Sequence, residues 1–391
     1  MRSMSHTEVT SRSWTQRVGT ALVMVLLGLV LLPACTWLLF WNEGRSVGVA
    51  RALAEGAGIV FAVPGERIDP AMEGKLVHLT GAVVPQSIPR DTQLGIEADG
   101  AIGLLRRVEM FQWVETSESR TQTKLGGSEE TVTVYSYSRQ WHADHIDSTS
   151  FKISEGHENP DRMLPDERFI VPDVLVGAFG VEGALLADVG QHSVVDLRAD
   201  DAGAIARGLR GRRPVSLGDA GVYVGQDAAA PAIGDLRISF QRIDLGRASL
   251  VGVQTGERIG AYTAGNGQSF LLAEAGTVPA QAMFETADAQ NAVMTWLLRA
   301  AGLAGLFLGF FLILNVLSVL VSVLPFLGSL VGFGGAVLAF LLALVLGATV
   351  IALAWLVYRP VLAGLLLACV AAVVILVLRL RRRAPRVLGA G

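Results

Sequence analysis

From Ala300 to Tyr358 the chain carries no aspartate, glutamate, lysine, arginine or histidine. No solvated protein surface is built from such a stretch, and it far exceeds the ~20 helical residues that cross a ~30 Å hydrocarbon core. Only two cysteines are present, Cys35 and Cys369, both inside hydrophobic segments. That excludes a disulfide framework or a thiolate metal site in the polar part. Lysine occurs only at Lys75, Lys124 and Lys152, and the formal net charge is −3. Nucleic-acid binding needs concentrated basic charge, so that partner is excluded. There is no G-x-S-x-G, no phosphate loop and no H-E-x-x-H, which excludes the enzyme families that carry those motifs. No Asn-x-Ser/Thr acceptor occurs, and arginine, alanine, glycine and valine dominate, a bias that points to a GC-rich bacterial genome.

What is present is a membrane pattern. Residues 18–41 are uncharged and long enough for a first span, the charge-free block holds spans over 295–324 and 329–357, and 360–380 adds a fourth before the basic tail 381–391. Leu32-Pro33-Ala34-Cys35 resembles a lipoprotein cleavage box, but the apolar run continues to Trp41, which favours a retained span. Arg2, Arg12 and Arg17 place residues 1–17 in the cytoplasm, and the arginines from Arg379 to Arg386 place the C-terminus there too. Trp37, Trp41, Trp296 and Trp355 then all fall at the outer interface, where indoles accumulate.

Residues 42–294 are therefore expected outside the cytoplasm. Arg45–Gly58 continues helically, with Val47, Ala50, Leu53 and Ala54 on one face. Lys75–Val84 reads as a strand. Arg107–Glu115 and Thr131–Trp141 read as a hairpin, with Thr116–Glu130 as its polar connection. Residues 156–167 read as loop, Phe169–Val189 fits strands or helix, and Ala202–Leu209 reads as a short helix. Gly234–Ile243, Ser249–Gln254, Arg258–Tyr262 and Ser269–Ala273 read as strands, so two β units over about 64–155 and 215–275 are conceivable. Ala280–Arg299 is a helix entering the second span. The expected fold is an α+β membrane protein: four transmembrane helices, one N-terminal and three C-terminal, enclosing a β-rich extracytoplasmic domain.

Several stretches resemble the transmembrane protein 43 family, also called LUMA, over nearly the whole chain. They are Asn42-Glu43-Gly44-Arg45, Glu73 to His78, the run RVEMFQWVETSES from Arg107, Tyr135-Ser136-Tyr137 with Trp141, and Gly156 to Pro160. Gly234 to Phe240, Trp296 to Gly302 and Tyr358-Arg359-Pro360 complete the set. The resemblance implies one N-terminal and three C-terminal spans around a large lumenal or extracytoplasmic domain. Animal members occupy the endoplasmic reticulum and inner nuclear membrane, where they self-associate and bind other membrane proteins. The departures are the N-terminus, the 202–231 region and the arginine-rich tail. No catalytic residue carries over.

The candidate constellations are few. His142, His145 and Asp147 offer zinc-type ligands, but on a strand the two histidines face opposite sides, so a polar strand end is the better reading. Glu109 and Glu115 near Arg106 and Arg107 are accounted for as a solvated strand face. Ala301, Gly305 and Gly309, and Gly328 with Gly332, space small residues for close helix packing, while Asn315, Ser318 and Ser322 form a polar stripe suited to interhelical hydrogen bonds. No ionisable residue stands in mid-membrane, which argues against a transporter. At the outer rim, Glu43 is the only acid near Arg45, Arg299 and Arg359, so it is the expected counter-ion for Arg299 or Arg359. No catalytic, cofactor or metal residues are expected. The expected role is a non-enzymatic scaffold of the bacterial inner membrane, a homo-oligomer in the lipid bilayer that binds other membrane proteins. The alternative is an envelope sensor or lipid-handling protein.

Overall fold

The computed structural model describes residues 5–161, 164–209, 214–218 and 221–361, with scattered positions up to 375. The chain is α+β: three long apolar helices and a β-rich domain. It divides into two compact units, one of Met1–Thr10, Ala52–Arg120 and Thr131–Ala287, the other of Ser11–Arg51, Thr121–Glu130 and Asp288–Gly391.

The first unit holds two sheets. In the eight-stranded sheet, β1 (Ser5–Arg12) lies beside β4 (Glu129–His142), then β3 (Gly103–Thr123), β8 (Leu236–Asp244), β7 (Gly221–Val224) and the edge strand Val215–Gly218. β3 and β8 pair antiparallel from Met110↔Leu236 to Gly103↔Ile243. Their inward side chains, Leu104, Val108, Met110, Leu236, Ile238 and Phe240, are buried in one cluster. Period-2 alternation made these strands legible.

The seven-stranded sheet contains β2 (Leu76–Pro85), β5 (Asp173–Val176), β6 (Phe179–Glu182), β9 (Arg247–Thr255), β10 (Arg258–Gly260) and β11 (Leu272–Ala275). Because β9 pairs with β2 as well as with β10, strands β2, β5, β6, β10 and β9 form a closed ring, which leaves fewer open edges. Val77, Leu79, Val174, Val176, Phe179, Val181 and Leu250 form its core. The stretches 64–155 and 215–275 do not make separate β units: β3 pairs with β8 and β2 with β9, so each sheet draws on both.

Two expectations need correction, and one open reading is settled. Residues 116–130 are not a polar connection, because β3 runs to Thr123 and β4 starts at Glu129. Their polar side chains pair across the strands instead: Ser119 Oγ lies 2.9 Å from Thr133 Oγ1, and Thr116 Oγ1 donates to the Ser136 carbonyl at 3.3 Å. The N-terminal segment is not merely a polar flank, since Ser5–Arg12 is a strand on the β4 edge. Phe169–Val189 resolves into short strands and a small helix, Gly183–Ala187.

In the second unit, α1 (Trp14–Ile59), α2 (Ala280–Val321) and α3 (Pro325–Tyr358) supply the apolar segments. α1 runs without a break through Pro33 and Cys35. Small residues set the packing. A Cβ added to Gly305 would lie 2.3 Å from Cys35 Sγ, one on Gly309 would lie 3.0 Å from Leu32, and one on Gly28 would lie 2.7 Å from the Gly309 carbonyl oxygen. Gly328 and Gly332 serve the α2–α3 pair, against Ser322 and Ser318. Ser318 Oγ donates to the Gly328 carbonyl at 2.7 Å, and half-buried Asn315 makes no side-chain hydrogen bond among the described residues. Trp37, Trp41 and Trp296 are exposed, whereas Trp355 turns partly inward. The expected span 360–380 and the basic tail fall largely outside the described residues.

Candidate functional site

The helices that carry the apolar segments also carry a polar seam. Asn42, Glu43 and Ser46 of α1 are buried, as are Asn291 and Thr295 of α2. Burying a carboxylate in a membrane protein is costly unless its charge and lone pairs are met. Glu43 is fully buried and meets both conditions. Arg299 Nε donates to Oε1 at 2.6 Å and Nη2 to Oε2 at 2.8 Å, a bidentate pair. The Trp355 indole adds a bond to Oε2 at 2.9 Å. Arg299 of α2 and Trp355 of α3 therefore converge on the single carboxylate that α1 supplies. The Arg299 guanidinium also lies 4.7 Å from the Trp296 ring centroid, which covers its face.

Beside this pair, Asn42 Nδ2 donates to the Thr295 carbonyl at 3.0 Å and Asn291 Nδ2 to the Ser46 carbonyl at 3.0 Å. Arg45 donates to Asn291 Oδ1, Asn42 Oδ1 and Thr295 Oγ1 at 3.2–3.3 Å. Arg359 is not a partner of Glu43; its backbone N–H closes α3 on the Trp355 carbonyl at 2.8 Å. Of the four rim residues read from the sequence, the structure joins Glu43 to Arg299, sets Arg45 among neutral partners and leaves Arg359 at the helix end. Trp355 belongs to the seam, although its sequence position suggested an interfacial anchor. Tyr358 belongs too: its carbonyl accepts from Arg51 Nη2 at 2.8 Å, and a Cβ on Gly44 would lie 2.7 Å from its ring.

A second junction lies some 26 helical residues back along α1, about 39 Å at 1.5 Å per residue. Arg17 Nη1 donates to the Gly127 carbonyl at 2.6 Å and to Ser322 Oγ at 3.0 Å, and Nη2 pairs with Glu129 at 2.9 Å. Trp14 Nε1 donates to the Val319 carbonyl at 3.0 Å, and the Gly126 N–H to the Val323 carbonyl at 3.0 Å. Gly127 adopts φ +80°, and a Cβ there would lie 2.5 Å from Trp14 Cδ1, so the β3–β4 turn needs glycine to approach. Sequence reading put Arg17 in the cytoplasm and residue 127 outside it. The structure places them in hydrogen bond, so residues 121–130 cannot lie across a bilayer from Arg17. In the sequence Arg17 reads only as a topological flank, and nothing local to it signals Glu129 or Ser322.

The other constellations dissolve into local structure. His142 Nδ1 accepts from the Asp144 N–H at 3.1 Å, and Asp147 caps the turn at Thr149. No cluster of three potential metal ligands occurs among the described residues. Glu115 accepts from Tyr137 Oη at 2.7 Å and from the Lys152 N–H at 2.6 Å, while Glu109 stands opposite Arg237 on β8. Burial, with the bond to Glu115, pushes the Tyr137 hydroxyl above its usual range. Burial does the same to Tyr223, whose hydroxyl donates to Asp235 at 2.5 Å.

A family profile described as Transmembrane protein 43 matches residues 110–360. The chain is similar to transmembrane protein 43 of Rattus norvegicus, 32% identical over 96% of this chain and 95% of the relative. It is 34% identical to the Homo sapiens protein of that name, covering 91% of this chain and 90% of the relative. With the Drosophila melanogaster homolog it is 29% identical over 88% and 91%. No solved structure matches.

Proposed function

Because the chain belongs to the transmembrane protein 43 family, we propose that it is a non-enzymatic membrane scaffold that organises membrane or envelope protein complexes through self-association. It sits in the inner membrane of a bacterium with four spans, 360–380 being the fourth. Both termini face the cytoplasm, and most of 42–294 lies on the extracytoplasmic side.

One observation carries the self-association. In this topology the hairpin tip meets Arg17 at the cytoplasmic end of α1. The strand ends of residues 121–123 and 129–130, with the charged Lys124 and Glu130 beside them, are then carried to that end of the bundle. Lipid tolerates neither open strand edges nor unpaired charge. Protein has to surround them, and neighbouring copies of this chain supply that shield. The seam at Glu43 suits the same role, because it fastens three helices into one rigid support.

The lipid-handling alternative wants a shape-defined apolar cavity. A cavity of about 670 Å³ in the β-rich domain has Glu182, Asp188 and Arg258 in its wall beside Leu185, Ile259 and Leu271, which suits lipid tails poorly.

Cross-linking in native membranes followed by mass spectrometry tests the proposal. A Ser119→Cys variant should yield disulfide-linked copies, and reporter fusions after residues 16, 150, 328 and 388 should read inside, outside, inside, inside. A chain that stays monomeric while residues 16 and 150 report on opposite faces overturns the proposal.

A further inference from the structure

The β3–β4 turn displays Leu125 at 82% exposure, the most exposed large apolar side chain among the described residues. A solvated hairpin tip has no use for such a residue. Its surroundings suggest one. The Gly126 N–H is bonded to the Val323 carbonyl, and Arg17 holds Gly127 and Ser322 together. Val323, Leu324 and Phe326 are themselves 44%, 53% and 76% exposed. Val323 and Leu324 lie in the turn between α2 and α3, and Phe326 in the first turn of α3; both helices are long and apolar enough to cross a membrane. A turn between two spanning helices emerges at the edge of the hydrocarbon. Leu125, tied to that turn, is held at the same depth.

We propose that the turn of residues 124–127 is a lipid-contacting element that seats Leu125 in the boundary between headgroups and acyl chains, beside Leu324 and Phe326. Lys124 precedes it in the chain, and its ammonium is paired with Glu130, so the tip's claim on lipid rests on Leu125 rather than on charge. The hairpin is thus anchored twice, by hydrogen bonds to the bundle and by burial of its tip in lipid. The inference rests on the reading that α2 and α3 span the membrane, but not on self-association or on which face the turn occupies.

The test uses the full chain with Cys35→Ala and Cys369→Ala, reconstituted in nanodiscs of phosphatidylcholine and phosphatidylglycerol. Single cysteines replacing Leu125, Phe326 or Leu26 are labelled with an environment-sensitive fluorophore, and lipids with nitroxides at the headgroup or in the acyl chain serve as quenchers. Leu125→Cys should show a blue-shifted emission and a loss of intensity to both quenchers matching that of Phe326→Cys. Leu26→Cys, in the middle of the first span, should lose most to the acyl-chain quencher. Water-like emission at position 125 with quenching at 326 and 26 overturns the inference alone. A blue-shifted label at 125 that lipid does not quench means that protein, such as a second copy, covers the tip, and this also overturns it. Failure of acyl-chain quenching at 26 removes the spanning reading and the inference with it.

Discussion

Arg106 of the β-rich domain and Glu43 of the helix bundle are both buried charges, and the fold treats them differently. Arg106 is offered two carboxylates, Asp91 at 2.5 Å and Glu167 at 2.7 Å, as well as the Pro165 carbonyl at 3.1 Å. Asp91 is completely buried, while the side chain of Glu167 is half in water. The surplus negative charge is thus led out to solvent. Glu43 has one guanidinium in bidentate contact and one indole, so the group is neutral. A domain surrounded by water can export a surplus, whereas a bundle surrounded by lipid must balance its charges where they lie. Arg45 departs from this rule: it is half-buried and served by amides and a hydroxyl, with no carboxylate bonded to it among the described residues.

The comparison is most sharply tested at Arg106. Arg106→Met strands Asp91, and should cost about 3–5 kcal/mol in unfolding of the detergent-solubilised protein. Adding Asp91→Asn should return much of it. A loss smaller than that of any bundle variant would break the contrast. Next comes Glu43→Gln, which keeps the shape but leaves Arg299 able to reach the headgroup region. It should cost about 1.5–3 kcal/mol, the range for bonds to charged groups. Glu43→Arg should cost more, and Arg299→Glu added to it should restore part of the stability where Arg359→Glu restores none. Equal rescue by both would show that the rim charges act only in bulk.

Smaller again is the junction at the other end of α1. Arg17→Ala should lose about 1 kcal/mol and make the Gly126-Gly127 turn more accessible to protease, while Glu43→Gln leaves that turn unchanged. The least effect is expected at the Glu8–Lys152 pair, where both side chains are about a third exposed. The bond to Lys152 holds the Glu8 carboxyl below its ordinary 4.5, and the same bond holds the Lys152 ammonium above 10.5. The contribution of Glu8 is complete above pH 4.5 and disappears as pH falls through its lowered value. That of Lys152 is complete below 10.5 and disappears as pH rises through its raised one. The protection factors of the β1 amides, taken relative to the intrinsic exchange rate at each pH, should fall at both extremes, and a flat protection profile would show that the pair does not hold the strand.

Much of this architecture was legible because it rests on local pattern. The charge-free block announced α2 and α3, alternation announced β2, β8 and β9, and Glu43 stood out as the lone acid of its segment. β1 was not legible, since Ser5–Arg12 has little strand character and is ordered by the edge of β4. The Arg106 cluster joins residues 15 and 61 positions away, and no spacing rule links them. Arg17 was read through its charge alone, and its partners come from two turns that meet only in three dimensions.

Pro33 has a mechanical consequence. It has no N–H to offer, so the carbonyl of Leu29 lacks its usual helical donor, and bending α1 there breaks no bond because none exists. On one side of this point Cys35 and Glu43 are fastened to α2; on the other, Gly28 rests against Gly309 and Arg17 grips the hairpin turn. What keeps α1 straight at Pro33 is therefore not its own hydrogen bonding but α2, which meets it at Gly309 on one side of the proline and at Gly305 on the other.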